Sequence, residues 1–385
     1  MAGYGFIGKV HCHAHLSIPL LYDPLPCRTK LVGVCTSTEA SGEKATTQAG
    51  FEFDTRRYDD LLSRADIHII HICTPNDCHF EMVRDALTAG KHIYCDKPLA
   101  LNVQQAQELA DLAKSSSVWH QMTFNYRFVP SIMRAREMTQ SGFLGDLLSF
   151  RAAYLHAGYV DPNRPFSWRT DFSRSGGGAI SDLGAHVIDL LRFTIGPGTN
   201  VGRGGEFSSV SALLQTLITQ RKDTKTGSLR TVDVDDIAMA HCKLTGDAAG
   251  TLEVSRLATG VQDELRLELH GTKGGLRFNL MEANWLEAYD NTLPESSLGG
   301  DRGFRRIESV TRYPKPYSLG ATKNTVGWLN FHIASLFDFL SNVTSYQNGS
   351  TPSPISPTFQ DGLAAQNVIA ACQKSSSQDG AWVPV

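Results

Sequence analysis

Apolar positions in the first third of the chain alternate between two periods. The runs "KLVGVCT" (30–36), "IHIIHICTP" (67–75) and "HIYCDKP" (92–98) are short and β-branched, as buried strands are, and "VWHQMTFNYRF" (118–128) predicts another. Between them, "KVHCHAHLSIPLL", "HFEMVRDALTAGK" and "NVQQAQELADLAKSS" carry helical spacing. The first of these runs into a proline-rich stretch from Pro19 to Pro26, and the second stops at Gly90. Strands alternating with helices of this length predict a doubly wound parallel sheet over residues 1–124.

The pattern changes over residues 125–385. A helix is predicted at about 131–141, a strand at "LLSFRAAYLHA", and a long apolar helix in "AISDLGAHVIDLLRFTIG" after the Gly176–Gly178 run. From about 208 to 290 the text reads as six strands separated by short turns, which predicts one large, mostly antiparallel open sheet. Residues 291–325 read as a long loop, and helices at about 327–343 and 359–376 close the chain. The expected fold class is α/β: a Rossmann-type domain, 1–124, followed by a second α/β domain, 125–385.

The opening "MAGYGFIGKVH" changes the picture. Gly3, Gly5 and Gly8 form a G-x-G-x-x-G turn around Phe6 and Ile7, followed at once by a helical pattern. Alone the motif is weak in a chain with 34 glycines, but its place before a helix fits a pyrophosphate held on backbone N–H groups. Only Met1 and Ala2 precede it, so the first strand is expected to be truncated. An incomplete start, a rearranged sheet and weakened cofactor binding all stay open. After the second strand stand Thr36, Ser37 and Thr38, with Glu39 only later and no adjacent arginine. Without an acid there to pair with a ribose 2′-hydroxyl, the cofactor is NAD or NADP with a lean toward NADP.

Composition narrows the function classes. Hydrophobic residues make up 41 % and charged residues 19 %, and the net charge of −3 comes with no basic block, which speaks against nucleic acid or an anionic membrane as partner. No run approaches the roughly 20 apolar residues of a membrane span, and the start lacks a signal-peptide pattern. Eight cysteines without a CxxC pair suggest a reduced, cytoplasmic enzyme. His11, His13 and His15 invite a metal reading, but no nearby carboxylate completes a set. They are expected to be helix-face histidines, with no metal.

Three further constellations carry chemistry. In "CTPNDCH", Thr74, Pro75, Asn76 and His79 follow the third strand, where open parallel sheets bind ligands, although Thr and Asn also suit a turn and helix cap. In "CDKPLA", Asp96 and Lys97 end the next strand. A lysine there can stabilise negative charge developing on a substrate oxygen, or be a surface lysine before a turn. In "SDLGAHVIDLLRF", Asp182, His186 and Asp189 share one stripe of an otherwise apolar helix. A histidine suits removal of a hydroxyl proton near neutrality, with an acid one turn away to orient it; the alternative is an exposed ion pair.

Taken together, "GYGFIGKVH", "CTPNDCH", "CDKPLA", "FNYRF", "SWRTD", "SGGGAISDLGAHVIDL", "VDDIAMA" and "GTKGGLRF" resemble, in order and spacing, the glucose–fructose oxidoreductase / inositol dehydrogenase / rhizopine-catabolism (Gfo/Idh/MocA) family over nearly the whole chain. The resemblance implies NAD(P)-dependent oxidation or reduction of a sugar, cyclitol or related polyol. It also implies an open sheet that makes an oligomer interface, so a homodimer or homotetramer is expected. It makes Lys97 catalytic and places the family's Asp-x-x-x-His motif on Asp182 and His186. Asp96 stands where the family usually has glutamate. Tyr126 and Arg127 would border substrate or nicotinamide, and Trp168 and Arg169 would contact the sugar beside Asp182 and His186. In the implied mechanism His186 takes the hydroxyl proton, Asp182 holds His186, and Lys97 stabilises the oxygen, without a metal. The alternatives are a non-catalytic, cofactor-sensing or partner-binding member of the same fold, or an enzyme of dihydrodiols or small carbonyl compounds.

Overall fold

The computed structural model describes residues 1–196, 205–295, 297–300, 302–318 and 324–385. In chain order its elements are α1 (Phe6–Leu21), β1 (Gly33–Cys35), α2 (Glu39–Ala49), β2 (Phe53–Thr55), α3 (Asp59–Leu62), β3 (Ile69–Ile72), α4 (His79–Thr88), β4 (His92–Cys95), α5 (Val103–Ser115) and β5 (His120–Met122). Then come α6 (Pro130–Gln140), β6 (Leu147–Leu155), α7 (Phe172–Ser175), α8 (Ala185–Ile195), β7 (Phe207–Gln215), β8 (Gln220–Lys222), β9 (Leu229–Thr231), β10 (Ile237–Leu244) and β11 (Ala249–Ser255). The last are β12 (Glu264–Gly271), β13 (Gly274–Asn279), β14 (Trp285–Asp290), β15 (Arg305–Glu308), α9 (Trp328–Gln347), α10 (Phe359–Ser377) and β16 (Val383–Pro384).

Two compact units result. The first takes residues 1–128, 314–321 and 327–366; the second takes 129–313, 322–326 and 367–385. Beyond the expected first domain, 1–124, the first unit also takes in a late stretch of chain. The reason is apolar burial. Ala14 and Ile18 of α1, and Tyr22 just after it, form one core cluster with Ile333, Leu336, Phe339, Leu340 and Val343 of α9, and with Tyr94 of β4. The Tyr94 hydroxyl also donates to Ser335 Oγ at 2.7 Å.

In the first unit β1 pairs β2, and β3, β4 and β5 form a second parallel ladder. The residues before the glycine turn join them. Ala2 bridges Cys35 on one side and Ile72 on the other, both in parallel. Cys35 N–H donates to Met1 O and Gly3 N–H to Cys35 O; Ala2 N–H donates to His71 O and Cys73 N–H to Ala2 O, all at 2.8–2.9 Å. Met1–Gly3 thus hold the central place between β1 and β3 and are hydrogen-bonded on both sides. A cleft of about 570 Å³ opens among Met1, His15, Leu31, Gly33, Ile67 and His71. The strand predicted over 118–128 is also corrected: β5 ends at Met122, and Asn125–Phe128 turns as a 3₁₀ segment.

Nine strands of the second unit form one sheet in the order β15-β14-β13-β12-β6-β11-β10-β7-β16. Every pairing is antiparallel except β6 with β11. The core face alternates strictly along β10, where Ala238, Ala240, Cys242 and Leu244 are buried and Met239 is exposed. Part of the predicted 291–325 loop lies outside the described residues, and within it β15 extends the sheet.

No described helix is long and apolar enough to cross a membrane. The eight cysteines are free thiols.

Candidate active site

The three glycines do three different jobs. Gly3 has φ +89°, and a Cβ there would stand 2.6 Å from Cys73 O. Gly8 faces the backbone of the turn itself, where a Cβ would stand 2.5 Å from Gly3 O. Gly5, the N-cap of α1, has nothing within 4 Å of its Cβ position. A turn closed by backbone at Gly3 and Gly8, and open at Gly5 over the first N–H groups of a 16-residue helix, fits a dinucleotide pyrophosphate. Phe6 begins the helix with its ring exposed and stacked on Trp328, and Ile7 follows it.

At the end of β3, Thr74 and Pro75 are half-buried and Asn76 begins a 3₁₀ turn. His79 departs from its expected role as a cofactor contact. It is fully buried, with Nδ1 2.8 Å from Pro98 O and Nε2 3.2 Å from Thr74 O, so it braces the two loops from behind. Asp96 Oδ1 accepts the Lys97 backbone N–H at 2.9 Å and the Thr123 hydroxyl at 2.8 Å. The carboxylate thereby fixes the backbone that presents Lys97, whose side chain is half-buried.

Tyr126 and Arg127 sit in the 3₁₀ turn after β5, both almost wholly buried. Arg127 Nη2 lies 2.9 Å from Asp361 Oδ1 and Nη1 donates to Ile355 O. This pairing accounts for its burial and ties the turn to the start of α10, which departs from the expected substrate contact. Tyr126 packs edge-on to Phe331.

The second unit carries the acid–histidine motif. Asp182 lies in a π-helical turn, Ile180–Gly184, and His186 stands in the first turn of α8. The π turn breaks the uniform helical rotation assumed for the Asp182–His186–Asp189 stripe. Asp182 Oδ2 accepts from Arg256 Nη2 at 2.9 Å, a partner the sequence pattern does not indicate. His186 lies half-buried, 6.0 Å from the Tyr154 ring, and Asp189 is buried.

Arg256, just past β11, went unnoticed in the sequence. It is fully buried, stacks over Tyr159 at 4.7 Å and donates from Nη1 to Arg169 O. One side chain therefore holds both Asp182 and the Trp168–Arg169 turn, where the Arg169 guanidinium lies 4.2 Å over the Trp168 ring. His156 is a second unforeseen neighbour, and burial lowers its pKa while Asp182 opposes that shift. Asp235, of "VDD", accepts the N–H groups of Gly178 at 2.7 Å and Ile180 at 2.8 Å, fixing the start of the motif helix. An arginine ending an apolar strand was the available signal for Arg256, but one sequence does not say which acid it meets.

Arg56 is the third residue that sequence spacing hid. Thr36 N–H donates to Thr55 O, which brings Arg56 beside the end of β1. Its guanidinium meets Thr36 Oγ1, the Thr38 carbonyl and the Asp54 carboxylate. Ser37 is exposed. Among the described residues, no group of three His, Cys, Asp or Glu is arranged to hold a metal ion.

Known families match both units. Residues 1–124 match the oxidoreductase family with an NAD-binding Rossmann fold, and 132–277 match the GFO/IDH/MocA C-terminal domain. The chain belongs to the Gfo/Idh/MocA family of oxidoreductases. It is 31 % identical to levoglucosan dehydrogenase of Pseudarthrobacter phenanthrenivorans, over 100 % of this chain and 97 % of that one. It is 26 % identical to inositol 2-dehydrogenase of Rhizobium meliloti, over 98 % of this chain and 96 % of the relative. A solved levoglucosan dehydrogenase in complex with NADH and levoglucosan superposes with a TM-score of 0.89 at 32 % identity, covering 100 % of this chain and 98 % of that one.

Proposed function

We propose that this member of the family is a nicotinamide-dependent dehydrogenase that oxidises a secondary alcohol of a sugar, cyclitol or related polyol, or reduces the corresponding ketone. The observation that carries the reading is the glycine turn, closed by backbone at Gly3 and Gly8 and open at Gly5. The relatives named for levoglucosan and inositol support a polyhydroxylated ring as substrate class. A bound nicotinamide accepts or returns the hydride.

The residues of the chain do the rest. The turn around Phe6 and Ile7 holds the pyrophosphate, Thr36 and Ser37 face the adenosine ribose, and Thr74, Pro75 and Asn76 border the cofactor. His186 takes the hydroxyl proton, and Lys97, presented by Asp96, stabilises the oxygen. Asp182, fixed by Arg256, sets the charge beside the histidine helix. Trp168 and Arg169 contact the sugar. Cross-strand Leu213 and Met239, each about half exposed on the outer sheet face, support a homo-oligomer.

Purified chain assayed with NAD⁺ and NADP⁺ against anhydrosugars, inositols and hexoses tests this. Turnover of at least one class is expected, and His186→Ala should lower it about 10²–10⁴-fold with an unchanged melting temperature. Full turnover by a folded His186→Ala protein would remove His186 from the mechanism. Tight cofactor binding with no turnover on any polyol would favour the non-catalytic member of the fold.

A further inference from the structure

A relative solved with NADH invites the expectation of NAD here, and the ribose end of this chain is where that expectation can be examined. The ribose of a dinucleotide lies at the carboxyl end of the strand following the glycine-turn helix. There an acid hydrogen-bonds the 2′-hydroxyl, and a nearby arginine accommodates a 2′-phosphate. That strand is β1, and Gly3 N–H donates to its Cys35 carbonyl, so the turn and the strand end are one piece of structure. The residues at the end are Thr36, Ser37 and Thr38, three hydroxyls and no carboxylate. Glu39 is exposed in the first turn of α2, whose N-cap is Thr38.

Into this corner Arg56, the residue after β2, brings its guanidinium together with the Asp54 carboxylate it pairs with. Its Nη1 donates to Thr36 Oγ1 and, at 2.6 Å, to Thr38 O; its Nη2 pairs with Asp54. The contacts pin the guanidinium across the end of β1, with 35 % of the side chain still exposed. Gly42 of α2 makes room for it, because a Cβ there would stand 2.6 Å from Arg56 Nη2. A guanidinium held in place loses little freedom on meeting a phosphate and offers it a bidentate edge.

We infer that Arg56, with the hydroxyls of Thr36 and Ser37, is the site that reads the 2′-phosphate of NADP, and that this enzyme prefers NADP over NAD. The inference rests on the proposed dinucleotide site. A rival assignment uses the same residues: Asp54 would accept the 2′-hydroxyl of NAD, and Arg56 would only neutralise it. The two differ in which variant harms which cofactor.

Nicotinamide fluorescence titrations of the full chain with NADPH and NADH separate them, backed by competition with 2′,5′-ADP and 5′-AMP. Wild type is expected to bind NADPH at least tenfold more tightly than NADH, and 2′,5′-ADP more tightly than 5′-AMP. Arg56→Ala should weaken NADPH and 2′,5′-ADP at least tenfold while leaving NADH within threefold. Arg56→Lys, which keeps the charge and the Asp54 pair, should retain an intermediate preference and guards against loss of folding in the alanine variant. Asp54→Asn should leave NADH binding intact. Equal or tighter NADH binding by wild type overturns the inference, as does a loss of NADH affinity confined to Asp54→Asn. Binding of neither dinucleotide by wild type would overturn the cofactor site itself, a failure distinct from NADH binding without 2′-phosphate preference.

Discussion

Arg256 concentrates more consequence than any other side chain of the second unit. Its charge is fully buried, and Asp182 is the carboxylate that meets it directly. Removing one partner of such a pair leaves the other uncompensated, at a cost of up to about 3–5 kcal/mol. Arg256→Met should therefore lower stability in urea unfolding. In turnover it should lower kcat at least tenfold with little change in KM, because Arg256 positions the motif rather than touching substrate. Arg256→Lys, which restores the charge but not the fork, should recover part of kcat; a change in KM alone would remove Arg256 from a positioning role. At this scale the sequence was half legible. Lys97 and His186 stand out as polar residues in apolar runs, while Arg256 gains meaning from Asp182, 74 residues away, and Arg56 from Thr36 and Thr38, 20 and 18 residues away.

Among elements, the glycine turn was legible because its spacing is local, and so was the strand–helix alternation. Three features were not. The π turn at Ile180–Gly184 has the same apolar spacing as an α-helix, so Asp182 was placed by an unsuitable rotation. Met1–Gly3 pairs on both sides with too few residues to show a periodicity. The 3₁₀ turn at Asn125–Phe128 carries apolar and aromatic residues that read equally well as strand. The turn itself sets a test: in Gly8→Ala the added methyl meets backbone at Gly3 O, which has no flexible end to move aside. Nicotinamide binding should fall at least tenfold in fluorescence titration. Gly5→Ala, which meets no protein atom, should fold normally and lose affinity only by crowding the phosphate.

For the whole molecule the buried histidines decide how stability follows pH. In the first unit His71 joins His11 and His15 through ring-nitrogen contacts of 3.1 and 3.0 Å, and His332 packs beside His11. Burial lowers His11 and His332 from 6.5 to about 3 and His15 to about 4, and holds His71 well below its usual value. Such groups stay neutral in the folded chain while the unfolded chain takes up protons below pH 6.5. Stability is thus full above 6.5 and is lost as pH falls toward 4, by up to about 1.4 kcal/mol per pH unit for each histidine. Asp338 opposes this in part, since burial raises it from 3.8 to about 6 and the folded chain favours its protonated form between those values. Urea midpoints should fall from pH 7 to pH 5. Both ring nitrogens of His332 lack hydrogen-bond partners among the described residues, so His332→Leu should raise stability at both pH values and flatten the slope by about one proton. A steeper slope in the variant would refute that account.

The late return of the chain to the first unit also bears on its birth at the ribosome. Residues 1–128 emerge before the second unit, yet the cluster around Ala14 and Ile18 of α1 is completed only when α9, Trp328–Gln347, arrives. At a synthesis rate of roughly 5–20 residues per second, more than two hundred residues of elongation leave that cluster incomplete for on the order of ten seconds or longer. The nucleotide-binding unit is therefore begun ahead of the second unit and completed only after most of that unit has emerged. Through that interval the nascent chain exposes apolar surface, the kind of segment that holdase chaperones bind.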